Sequence, residues 1–390
     1  MNNTALAIKA PTVFDGERFL REHCVVVRGT AIEQVLPNAD CPTGLDTVVL
    51  DEGILAPGLI DLQVNGGGDL MFNNAPGRAT VDTMHAAHRA LGTTSMLPTL
   101  LSDTREVQQA AVEAVRAARA GGNPGIIGIH IEGPFFEPAR RGAHSAAMIR
   151  PPNAQDIDWL CALQDLAVIV TLAPEHAQTG QIERLARSGV CVCAGHTNAS
   201  YQQIMDAAGQ GLQGITHLFN AMSPLTARAP GVVGAALDDD RLWAGIIADG
   251  HHVHAAAIRL AQAAKPAGKL VLVSDAMATV GGDKASFELY NETIREHHGR
   301  LVNTDGVLAG SAIGMIDAVH YCHRSVGIAL QECLRMASLY PAAILNLDDS
   351  LGRICGGHRA DLVHFDEDFT VHNTWLAGQQ LTHTRGTGCD

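Results

Sequence analysis

The sequence has no run of about 18 or more apolar residues, the length a membrane-crossing helix needs. Its first ten residues carry no basic stretch leading into an apolar core. Neither a secretory signal nor a membrane span is therefore expected. It also lacks any Cys-x-x-Cys pair. The nine cysteines, Cys24, Cys41, Cys161, Cys191, Cys193, Cys322, Cys333, Cys355 and Cys389, are scattered and odd in number, which points to reduced thiols in a cytoplasmic protein. Positive charge is short as well. Lys and Arg total 27 against 41 Asp and Glu, a formal net charge of −14, so neither nucleic acid nor an anionic membrane is an expected partner. An anionic substrate would need a local cationic pocket.

What is present is alternation. Eight short apolar runs, 59–64, 93–97, 126–131, 167–172, 190–194, 214–217, 243–247 and 270–274, read as strands. Amphipathic stretches at 80–91, 105–120, 178–188, 200–211 and 254–264 read as helices between them. Strands separated by helices imply parallel units, and eight of them favour a closed (β/α)8 barrel, which a chain of 390 residues accommodates with an appendage. Short strand-like pieces before about residue 55, and again at 360–365 and 371–375, predict that the two chain ends pair into a small β domain. The boundaries expected are 1–55 and 353–390 for that domain and 56–352 for the barrel.

Chemistry gathers at the ends of the predicted strands, where barrel sites form. The run Gly128-Ile-His-Ile-Glu-Gly-Pro134 delivers Glu132 to a strand end and breaks on Gly133-Pro134. An unpaired carboxylate packs badly there but suits a cation. His196 and His217 each end another short strand, and one Glu with two His makes a three-ligand metal site with an open position. Gly195 would let the backbone come close to such a metal. Asp275, after 270–274, could cap a helix, but its place at the same mouth argues for a general base acting on a water that the metal activates. Asp61, Gln63 and Asn65 share one face of the first strand, where a two-metal site would want His-x-His; Gln63 and Asn65 are poor zinc ligands that either bond substrate or serve turn chemistry. One of the histidines at 251, 252 and 254 is expected to help bind an anionic group. Arg228 is either a phosphate fork or a surface arginine, and backbone N–H groups near Asn220 and Ala221 could add donors.

From about Leu55 to Asp368 the chain resembles the N-acetylglucosamine-6-phosphate deacetylases of the amidohydrolase superfamily, in stretches that hold or flank many of these residues. They are Ala56-Pro-Gly-Leu-Ile-Asp61, His130-Ile-Glu-Gly-Pro134, Thr171-Leu-Ala-Pro-Glu175, Ala194-Gly-His-Thr-Asn198, Thr216-His-Leu-Phe-Asn-Ala-Met222, Ile247-Ala-Asp-Gly250 and Ser274-Asp275. The resemblance implies a TIM barrel with a small β-sandwich domain built from both ends, and hydrolysis of N-acetylglucosamine 6-phosphate to glucosamine 6-phosphate and acetate. It implies Glu132, His196 and His217 as metal ligands, and Asp275 as the acid and base. His144 is implied to stabilise the oxyanion or orient the sugar. Substrate contacts are implied at Ala143, His144, Asn220, Ala221, Arg228, His252, Leu308, Ala309 and Gly310, the arginine in some members crossing a dimer interface. Gln63-Val-Asn65 looks like the single-metal type, with zinc or ferrous iron, in a cytoplasmic homodimer. Two rivals remain: an amidohydrolase for N-acetylgalactosamine 6-phosphate or an N-acyl amino acid, and a barrel that has lost catalysis, as in some hydantoinase relatives.

Overall fold

The structure is a computed structural model that describes residues 5–304 and 306–383; Cys389 lies outside them. Eight parallel strands follow one another in chain order around a barrel: Leu59–Val64, Thr93–Leu100, Gly128–Glu132, Ala167–Leu172, Cys191–Ala194, Gly214–Ile215, Trp243–Ile247 and Leu270–Val273. These are the eight expected runs. They lack strand alternation because helices cover one face and packed side chains fill the other, so both faces are buried. Helix starts match local chemistry: Ser200 and Gln203 form a capping box ahead of Tyr201–Gly209, and His254 accepts from Ala256 N ahead of Ala255–Ala264.

The seam between the eighth strand and the first is closed by one buried carboxylate as much as by backbone. Asp275 N donates to Gln63 O at 3.0 Å, and Asp61 accepts from Gln63 N at 3.1 Å, Ser274 N at 3.2 Å and the Ser274 hydroxyl. Burial, above all, pushes the Asp61 carboxyl up to about 7. The folded state therefore holds a proton that the unfolded chain releases near pH 4, and this group's stabilising contribution is lost as pH rises from about 4 to about 7. Asp61→Asn keeps the acceptor and can donate to Ser274, so at pH 8 it should hold or raise the thermal midpoint. Asp61→Ala orphans buried N–H groups and should cost about 1–3 kcal/mol. Equal losses in the two variants would contradict this account.

Both chain ends build one eight-stranded sheet, and Leu362–Phe365 lies antiparallel on Ile54–Pro57 where they meet. Period two sorts its residues: Ile8, Val25 and Val27 join Trp375 on one face, while Ala7, Cys24 and Val26 cluster on the other. Asp361 links sheet to barrel, taking Arg359 and the amide of Ala377 while Ser95 of the second barrel strand donates to it.

Several features were not expected, among them two helices and a sheet. Ala154–Cys161 is a helix with an Asn153–Asp156 capping box, and Gly231–Asp238 is a helix buried along most of its length, so it carries little amphipathic signal. After the eighth strand, Ser286–Leu289, Glu292–His297, Arg300–Val302 and Leu308–Ser311 form a four-stranded antiparallel sheet. It packs Leu289, Ile294, Leu301 and Ala309 against Met71, Leu101 and Met277 beside the barrel mouth. Among the described residues no helix is long and apolar enough to cross a membrane.

Candidate active site

Glu132 is the last residue of the third barrel strand, and His196, His217 and Asp275 each lie two residues beyond the fifth, sixth and eighth. The last three adopt left-handed backbone, with φ of 50°, 34° and 53°. That conformation is uncommon for residues with a Cβ and marks strain held at a functional position. Gly195 serves packing: a Cβ there would meet Thr171 Cγ2 at 2.7 Å and Thr216 Cβ at 3.1 Å, so close approach to the neighbouring strands, rather than to a metal, is what demands glycine.

His196 Nε2 and His217 Nε2 lie 3.2 and 3.1 Å from Glu132 Oε1 and 3.0 Å from each other, all three residues buried. His196 Nδ1 donates to Arg140 O at 2.8 Å, which fixes the tautomer and leaves a lone pair on Nε2. Burial pulls the His196 pKa down, so the ring stays neutral. Burial opposes the charge on Glu132 too, yet its close contacts with the His196 and His217 rings hold its carboxyl well below the usual range. A carboxylate oxygen and imidazole nitrogens converging at these separations fit a divalent cation. Phe136 stacks on His196 with centroids 4.3 Å apart.

Gln63 and Asn65 face the carboxylates. Gln63 Nε2 donates to Glu132 Oε2 and to Asp275 Oδ1, each at 3.1 Å, and Asn65 Nδ2 donates to Asp275 Oδ1 at 2.6 Å. Both amides hold one oxygen of Asp275 and leave Oδ2 for the cavity. Burial first, then the charge of Glu132, push the Asp275 carboxyl up to about 6. His144 Nδ1 accepts from the backbone N–H of Ser102 at 3.1 Å. A backbone N–H can only donate, so neutral His144 carries its proton on Nε2. Burial keeps it neutral by pulling its pKa well down.

A cavity of about 290 Å³ is lined by Glu132, Ala143, His144, His196, His217, Asn220, Ala221, His252, Asp275, Leu308 and Gly310, with Arg140 and Met277 among the rest. Ala309 is buried behind this wall and lines an adjoining cavity of about 260 Å³. Arg228 stands in an exposed loop and does not line the cavity of its own chain. His252 Nδ1 bonds Asp249 Oδ2 at 2.6 Å, which orients the ring. Ser102 and Arg140 were not singled out in the sequence, and Asp249 and Glu175, each inside a quoted stretch, had no role assigned. Glu175 accepts from Thr197 Oγ1 at 2.5 Å and Asn198 N at 2.6 Å, pinning the loop that carries His196.

The Amidohydrolase family model matches residues 54–381. The chain is 43% identical over 334 residues to the N-acetylgalactosamine-6-phosphate deacetylase of Shewanella sp. (strain ANA-3), covering 85% of this chain and 84% of that one. It is 38% identical over 341 residues to the N-acetylglucosamine-6-phosphate deacetylase of Homo sapiens, covering 84% and 83%. The crystal structure of N-acetylglucosamine-6-phosphate deacetylase from Pasteurella multocida superposes with a TM-score of 0.93 at 36% identity, over 97% of this chain and 100% of that one. The chain belongs to the amidohydrolase family: it is a hydrolase of amide bonds whose Glu132, His196 and His217 fit a metal site.

Proposed function

We propose that the protein deacetylates N-acetylglucosamine 6-phosphate, releasing glucosamine 6-phosphate and acetate, in amino sugar catabolism in the cytoplasm. The observation that carries the reading is the convergence of Asp275, His144 and the Glu132, His196 and His217 set on one cavity. One divalent ion there, zinc or ferrous iron, would supply a Lewis acid for the acetyl carbonyl and acidify the attacking water. Asp275 Oδ2 takes the proton of that water, its carboxylate steadied by Gln63 and Asn65. His144 Nε2–H donates to the acetyl oxygen as charge develops on it. Asp275 then returns its proton to the nitrogen, because an amine anion leaves badly. A single ion is favoured because the Gln63 and Asn65 amides spend their N–H groups on carboxylates.

The phosphate must be held against a net charge of −14. His252 and the backbone at Asn220 and Ala221 line the cavity, and Arg228, outside its own cavity, is proposed to reach a partner's site in a homodimer. Arg228→Met should then raise KM with a smaller change in kcat, as loss of uniform binding does. Specific activity should also fall on dilution as dimers separate. An unchanged KM would remove Arg228 from the site.

A second reading, the galacto epimer as substrate, is favoured by the 43% identical Shewanella relative. Comparison of kcat/KM for the two phosphorylated epimers decides between them. N-acetylglucosamine turned over as well as its 6-phosphate would sink the phosphate claim in both.

A further inference from the structure

We propose that Cys24 and Cys41 form a reversible disulfide when the protein meets an oxidised low-molecular-weight disulfide such as oxidised glutathione. Their sulfurs lie 2.9 Å apart, closer than an ordinary non-bonded contact and under an ångström from the roughly 2.05 Å of the bond. Cys24 is fully buried in the strand Phe19–Arg28, and Cys41 is half-buried just after a short helical turn, Asn38–Asp40. Their surroundings are apolar: Ala7, Val26, Leu36 and Leu45. Among the described residues neither belongs to a group that could hold a metal. Besides Cys24, the Cys41 thiol makes a long contact with Pro42 O at 3.9 Å, so each thiol has the other as its near partner.

Exposure sets the order of events. Burial first, and then the Cys41 thiol beside it, push the Cys24 thiol up to about 12, so Cys41 meets the oxidant. The Cys41 thiolate attacks one sulfur of oxidised glutathione, and one glutathione leaves as thiolate. Cys24 loses its proton and attacks the Cys41 sulfur, and the second glutathione leaves as thiolate. Two protein thiols are oxidised and one glutathione disulfide is reduced to two thiols. Proximity offsets the low thiolate fraction of Cys24 in the second step. The link closes a loop containing Ala31–Pro37, the strand at one edge of the small sheet, which pairs with Phe19–Arg28 and, at Ile32, bonds the backbone of Gly357 and His358, and so adds a covalent tie to that edge.

The test incubates metal-loaded full-length protein with reduced and oxidised glutathione at set ratios, then unfolds it and alkylates it with N-ethylmaleimide for intact mass and peptide mapping. The expected result is loss of two of the nine thiols, no glutathione retained, one peptide pair joined through Cys24 and Cys41, and a higher unfolding midpoint, all reversed by dithiothreitol. Cys41→Ser should lose no thiol pair, and Cys24→Ser should keep one glutathione on Cys41. Nine free thiols under oxidising ratios, a link between other cysteines, or stable glutathione on wild-type Cys41 would each overturn the proposal. A formed link that leaves the midpoint unchanged would overturn the stabilising role of the tie. Should either variant fail to fold, the wild-type peptide map still decides.

Discussion

Asp275→Asn should lower kcat by about 10²–10⁴-fold, the range general acid and base groups contribute, with metal content and KM largely kept. Asparagine can still accept from Gln63 and Asn65 through its carbonyl, so the geometry that holds position 275 survives and only proton transfer is lost. The same residue should set the acid limb of the wild-type pH profile. Its carboxyl is pushed up to about 6 by burial and by Glu132, and a cation in the site pulls it down from there. Activity should therefore fall as pH drops through a value at or below about 6, where the base takes up a proton it cannot then accept from water. In Asp275→Asn that limb should vanish. Retained turnover would move the proton to another group, with His144 the first to test, and a variant purified without metal would make Asp275 a ligand.

Glu132→Gln should have an effect as large by a different route. Both histidines meet at the Glu132 carboxylate, and it is the anionic member of the proposed ligand set. A neutral amide in its place is a poor ligand for zinc or ferrous iron, so metal content after dialysis should fall to near zero and turnover with it. Added metal should restore little. Full metal content in Glu132→Gln would remove the carboxylate from the ligand set. The two variants together separate the roles: one keeps metal and loses proton transfer, the other loses both.

The barrel was legible because its signals are local. Most of the eight strands are short apolar runs, and Glu132, His196, His217 and Asp275 stand at or just past the ends of theirs. Gly231–Asp238 was not legible, because a helix buried along most of its length loses the period of 3.6 that marks an amphipathic one. Ile54–Pro57 was missed because proline speaks against a strand, although this one pairs at the meeting of the chain ends. Contacts among distant residues were the least legible part of the site. Ser102 sets the His144 tautomer through its backbone N–H, with its hydroxyl 2.9 Å from the same nitrogen, and nothing in the chain order places Ser102 there. Gln63 and Asn65 were read as contacts for substrate or turn, since nothing in the chain order says that they lie against Asp275.

Amide hydrolysis at the Glu132, His196 and His217 centre is open to a metal titration. Chelator-treated protein receives a divalent ion in steps, with N-acetylglucosamine 6-phosphate as substrate, while acetate and free amine are measured together. The two products should appear in equal amounts, rising with added ion and levelling near one ion per chain. Acetate released without any ion, or no release from either phosphorylated epimer at full loading, would contradict hydrolysis at this centre.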